Sequence, residues 1–185
     1  MRLIWLPASE DHTVCSGAAY HAFLDYAFEK TDYFMLVYIN YFGKGYTKKQ
    51  KLFKTLLDKY KVKSRTNSSW PGTPWTDRGE KTTYKIVFYR TDEEAKTILK
   101  KADALSDWGP GAPEDLAFFK GDRCWFFSTG HEGLATVVHA DASDLTFLEA
   151  QGIASGEDVF ESDDPWYDEL DEEIEKQKKE NTTDT

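Results

Sequence analysis

The chain has 185 residues, of which 40% are hydrophobic and 15% aromatic, enough to build one packed domain and too many rings for wholesale disorder. No apolar run approaches the roughly 20 residues of a membrane helix, the opening Met1–Pro7 is too short for a secretory signal, and with Cys15 and Cys124 as the only cysteines a disulfide framework is excluded. The net charge of -10 divides sharply: residues 1–156 balance at 20 acids and 20 bases, whereas residues 157–185 hold 13 acids against three lysines.

Arg2–Leu6 reads as a short strand closed by Pro7. Tyr20, Phe23, Leu24, Ala27 and Phe28 then recur on one face of a helix that starts near Ser16 and ends at Asp32. Tyr33–Phe42 is aromatic and β-branched throughout, the pattern of a central strand covered on both faces. Thr47 can cap a second helix, whose Leu52, Phe53, Leu56, Leu57 and Tyr60 share one arc. Lys48, Lys51, Lys54 and Lys61 fall on the other side. The whole segment from Lys44 to Arg65 carries nine bases and one acid, a basic stripe opposite in sign to the C-terminal end.

Residues 64–80 have no periodicity and hold Trp70 and Trp75 beside Pro71 and Pro74. Thr82–Arg90 alternates as a strand, and Thr91 with Glu94 forms a capping box for a helix carried by Ala95, Ile98, Leu99 and Ala102. A second loop, Ser106–Pro113, contains Trp108. Leu116–Phe119, Arg123–Ser128 and Leu134–His139 read as a three-stranded meander. A last helix runs from a cap at Asp141 to a stop at Gly152. These elements predict an α+β domain over residues 1–156: a mixed or mainly antiparallel sheet of about five to six strands, covered by about four helices. Residues 157–185 form an acidic tail, expected to be flexible.

Chemistry-bearing groups are sparse. Cys124 with His131 or His139, or Cys15 with His12 or His21, could supply a nucleophile and base, and this small-hydrolase reading is kept as an alternative. Against it, Cys124 sits in the aromatic run Trp125-Phe126-Phe127, where a free cysteine is ordinarily a small buried hydrophobe. His12 and Cys15 with Cys124 and His131 could form a four-ligand metal set, but no second closely spaced pair accompanies them. His131-Glu132 is read as a solvated turn, and no phosphate-binding glycine loop follows a strand. No catalytic residue, metal or cofactor is therefore assigned.

Binding absorbs more of the features. Trp70 and Trp75, on a loop stiffened by Pro71 and Pro74, and Trp108, in a second loop of prolines and glycines, are expected to form a contact surface for another protein. Lys48, Lys51, Lys54, Lys61 and Arg65 would supply electrostatic selection. Trp166 and Tyr167 would anchor the acidic tail, which can meet the basic stripe in the same molecule or a neighbour. The opposing reading caps the core with these indoles. Nucleic-acid binding by the 44–65 segment is the next alternative, weakened by the anionic tail.

The blocks Phe23–Lys30, Ser64–Pro74 and Asp115–Gly121 resemble those of small bacterial proteins, some of which carry the label stage III sporulation protein AH, over residues 1–160. The sporulation family proper is membrane-anchored and builds a ring between two cells, and no anchoring helix is read in this chain. The resemblance implies a bacterial cytoplasmic setting and brings no catalytic motif. The expectation is a cytoplasmic, non-enzymatic protein-binding module, immunity-like or regulatory, with no membrane contact.

Overall fold

The computed structural model describes residues 1–8, 14–74, 76 and 79–163, so Trp75, Trp166 and Tyr167 lie outside the described residues. Every side chain from Phe34 to Ile39 is buried. Phe34, Leu36 and Tyr38 face one core and Met35, Val37 and Ile39 the other, the two-sided burial that the unbroken apolar run demands. This strand, β2 (Tyr33–Asn40), is flanked by two others, and the sheet grows outward from it.

Eight strands form that sheet, where five to six were expected. They are β1 (Arg2–Leu6), β2, β3 (Lys61–Thr66), β4 (Thr83–Arg90), β5 (Glu114–Lys120), β6 (Arg123–Thr129), β7 (Leu134–Val138) and β8 (Val159–Glu161). Their spatial order is β3-β4-β2-β5-β6-β7-β1-β8, and every neighbouring pair is antiparallel. The α+β class holds, and β5, β6 and β7 follow one another as neighbours. The additional strands are β3 and β8 at the two edges. Edge strands need no apolar alternation, because only one side of each is paired. Val159–Glu161 pairs with Arg2–Ile4, which carries the folded part past residue 156.

Among the described residues four helices cover one face: α1 (Gly17–Lys30), α2 (Lys48–Leu57), α3 (Glu93–Leu99) and α4 (Ala142–Ala150). In α1 the buried residues are Tyr20, Phe23, Leu24, Ala27 and Phe28, the face given by the 3.6-residue period. Among the described residues no helix is long and apolar enough to cross a membrane.

Two helix details differ from expectation. Leu52 is 54% exposed, because α2 turns Gln50 inward instead. Gln50 closes the capping box with Thr47 and donates from Nε2 to the Ala112 carbonyl at 3.2 Å. At α3 the cap is Asp92, whose side chain accepts from the Glu94 amide at 3.0 Å. Thr91 is occupied elsewhere, donating to the Thr31 carbonyl at 2.8 Å.

The other face of the sheet carries a second core. Among its buried members, Trp70 is the only one not on a strand. A bulge in β6 also breaks simple alternation. Phe118 pairs with Phe126 and Phe119 with Cys124, which leaves Trp125 as the extra residue. Trp125 and Phe126 consequently both join the helix-side core, while Cys124 and Phe127 face the other way.

Candidate functional site

Glu114 and Asp115 open β5, and both are fully buried. Asp115 has a φ of 55°, in the left-handed region that Asp tolerates better than most residues. Its Oδ2 accepts from the Trp70 indole Nε1 at 2.7 Å and from the Thr73 hydroxyl at 3.4 Å. Its Oδ1 accepts from the Gly130 amide at 2.9 Å, and its own amide donates to the Trp108 carbonyl at 3.0 Å. One residue therefore ties together the 67–74 loop, the 105–113 loop and the turn after β6.

Around this clamp the backbone is tightly fitted. Trp70 and Thr73 exchange backbone hydrogen bonds of 3.0 and 2.8 Å, closing a turn in which Gly72 has a φ of 85°. A Cβ at Gly72 would stand 2.8 Å from both Phe127 and Thr129, and one at Gly130 would stand 2.0 Å from the Trp108 carbonyl oxygen. Trp108 itself is sealed between helices. Its Nε1 donates to the Tyr20 hydroxyl at 2.9 Å, and Phe53 meets its ring edge-on with centroids 5.0 Å apart.

The expectation that Trp70 and Trp108 lie exposed is thus corrected: they are 1% and 0% exposed. Each indole carries a large apolar area and one N–H donor, and the fold satisfies both needs internally, through Asp115 and Tyr20. Nothing in the sequence around Trp70 distinguishes a plugged loop from a presented one. A local signal for Asp115 did exist, in the paired acids directly preceding the apolar run Leu116–Phe119.

Burial pushes the Asp115 carboxyl up to about 6, against the opposing hydrogen bonds of Trp70 and Gly130. Glu114 accepts from the Tyr41 hydroxyl. Glu114, Asp115 and His131 each bring one potential ligand atom within 4.8 Å of the others, a donor set suited to a divalent cation. Both oxygens of Asp115 and Oε1 of Glu114 nevertheless already accept hydrogen bonds from neighbouring segments. These contacts assign the cluster to holding the fold.

Of the cysteine pairings, Cys124 and His131 separate. Cys124 and Thr129 lie at opposite ends of β6, about 17 Å apart at the strand rise, and His131 follows Thr129. Cys15 belongs to the helix-side core and Cys124 to the opposite one, so the sheet stands between them and no shared metal set forms. His12 lies outside the described residues. Burial raises the Cys15 thiol to about 12, the opposite of an activated nucleophile.

The basic residues do not all share one face: α2 packs on the helix-side core, whereas Lys63 and Arg65 of β3 stand over Phe88 of the opposite one. Lys48, Lys49 and Lys51 on α2 and Lys61 on β3 are exposed. Lys54 is half-buried, its ammonium 4.9 Å from the centroid of Tyr46. Lys61 belongs to β3 rather than to the helix, because α2 ends at Leu57. Lys63 and Arg65 lie over the Phe88 ring at 4.7 and 6.0 Å. Two apolar side chains of the same elements are exposed: Leu52 of α2, and Val62 of β3 at 52%. Val62 is the bulged residue between the pairs Lys61–Tyr89 and Lys63–Phe88.

Comparison of the chain with protein-family models, with curated proteins and with solved structures gave no match.

Proposed function

We propose that the protein is a non-enzymatic binding module that takes an acidic protein partner on the surface formed by α2 and β3. One observation carries the reading: β3 is a terminal strand of the sheet, exposed along almost its whole length, with Lys61 and Lys63 on either side of the exposed Val62. Cations steer and select an anionic partner, while exposed aliphatic groups supply the contact that water leaves. With Trp70 buried, one of the stacking platforms that a nucleic-acid reading needs is absent from the surface. The exposed Val62 favours protein over a phosphate backbone.

An immunity-like or regulatory role in a bacterial cytoplasm is the setting that fits two buried, unjoined cysteines and a partner chosen by charge. The test is affinity for the partner recovered from the native host, measured with purified components. Lys51→Glu together with Lys61→Glu should weaken binding at least tenfold and leave the melting temperature unchanged. Equal affinity in the variant would refute the reading.

A further inference from the structure

We infer that copies of this chain associate head to tail, the basic end of the sheet in one copy against the acidic end in the next. The inference rests on the α2–β3 surface being a contact face, as assigned above, and names a second copy as an occupant of it. The sheet has opposite characters at its two ends. At β3 stand Lys48, Lys49, Lys51 and Lys61, exposed and without an ion pair among the described residues, together with Leu52 and Val62.

At β8 the signs reverse. Glu157, Glu161 and Asp163 are exposed. Trp5 and Phe160, 49% and 39% exposed, lie ring against ring with centroids 4.3 Å apart. Beside Trp5 runs a cleft of about 320 Å³, bordered by Leu134, Glu132 and Asp158. Arg2 stands opposite Glu161 in the register of β1 and β8, so the two ends carry mainly, though not wholly, opposite charges beside exposed apolar side chains. Residues 164–185, which follow in sequence, hold nine acids against three lysines.

A single molecule satisfies its own ends poorly. Seven strand spacings separate β3 from β8, about 34 Å along the sheet. From Asp163 the chain reaches Asp168, where its densest acids begin, within at most about 18 Å. The ten residues as far as Glu173 span at most about 36 Å, barely the distance from β8 to β3. A second copy can present the same acids at no such stretch. Because the two contacting surfaces differ, the contact does not close into a pair, and each added copy exposes a further basic and a further acidic end.

The experiment is light scattering of the full chain against concentration at low and high salt. The wild type should exceed its monomer mass of 21.3 kDa as concentration rises at low salt, and return to it at high salt, where exposed charges are screened. The double variant Lys51→Glu, Lys61→Glu should remain monomeric with an unchanged melting profile. Added in equal amount to the wild type, it should shorten the assemblies, since it can occupy a basic end but offers none. A wild type that stays monomeric at low salt, or a variant that associates as well as the wild type, overturns the inference. If the wild type is monomeric while the same variant still loses the foreign partner, this inference alone fails and the binding reading stands.

Discussion

The indole nitrogen of Trp70 donates to the carboxylate of Asp115 at 2.7 Å, across 45 positions of sequence. That bond fastens a loop without regular structure to the start of a buried strand, and the ring fills the core on the sheet face opposite the helices. Trp70→Ala should therefore destabilise the protein by about 3–5 kcal/mol, by the cavity it opens, and lower the melting temperature by roughly 10 °C. Trp70→Phe keeps most of the apolar ring and removes only the donor, at a cost of about 1–3 kcal/mol. Calorimetry of both variants separates packing from hydrogen bonding. An unchanged melting temperature for Trp70→Ala would return the indole to a surface role.

Asp115 should also make stability fall with rising pH over a defined window. Its carboxyl is raised from 3.8 to about 6 by burial, so between those values the folded state binds the proton more tightly than the unfolded chain. The contribution is complete below about pH 4 and is lost as the pH rises through about 6. In Asp115→Asn that slope should disappear while the overall stability drops, because one of the two acceptor oxygens becomes a donor. Melting temperatures of both proteins between pH 4 and 7 report the difference in slope.

Asp141 predicts the opposite slope at lower pH. It caps α4, its Oδ1 accepting from the amides of Ser143 and Asp144 at 2.8 and 3.0 Å and its Oδ2 from the Lys30 ammonium at 3.0 Å. The Ser143 contact and the Lys30 charge hold the carboxyl well below its usual range, against partial burial. Its contribution is present above the ordinary Asp value and lost as the pH falls below it. Asp141→Ala should cost about 1 kcal/mol at neutral pH. The gap between the two proteins should narrow in acid unfolding curves below about pH 4.

Both thiols should be silent to a polar disulfide reagent in the folded protein. Cys15 and Cys124 are 0% and 1% exposed, and the Cys15 thiol is raised to about 12, so almost none of it is thiolate at neutral pH. Denaturant should release two reactive groups per chain. Rapid native labelling of either cysteine would show that its side of the sheet opens.

The periodic elements could be read from the residues alone, because burial repeats where the backbone repeats. Tyr20, Phe23, Leu24, Ala27 and Phe28 mark α1 by their spacing, and the unbroken run of β2 announces a strand covered on both faces. β3 escaped because Lys61, Lys63, Ser64 and Arg65 carry no apolar alternation, and its place in the sheet comes from pairing with β4. β8 is only three residues long and lies among acids. Lys48, Lys51 and Lys61 are exposed as the helix period predicts, whereas Lys54 is half-buried against Tyr46 and Lys61 stands on a strand. Trp70 and Trp108 were misread for a different reason. Their environment is set by Asp115 and Tyr20, at distances in sequence that no local pattern reports.

At Gly130 two main chains touch with no room for even a methyl group between them. A saturation library at this position should return glycine alone among folded proteins, alanine included among the losses. Any lineage that keeps this arrangement of loops is held to a single letter there. Position 130, rather than any of the indoles, is then the mark by which distant relatives of this fold could be recognised.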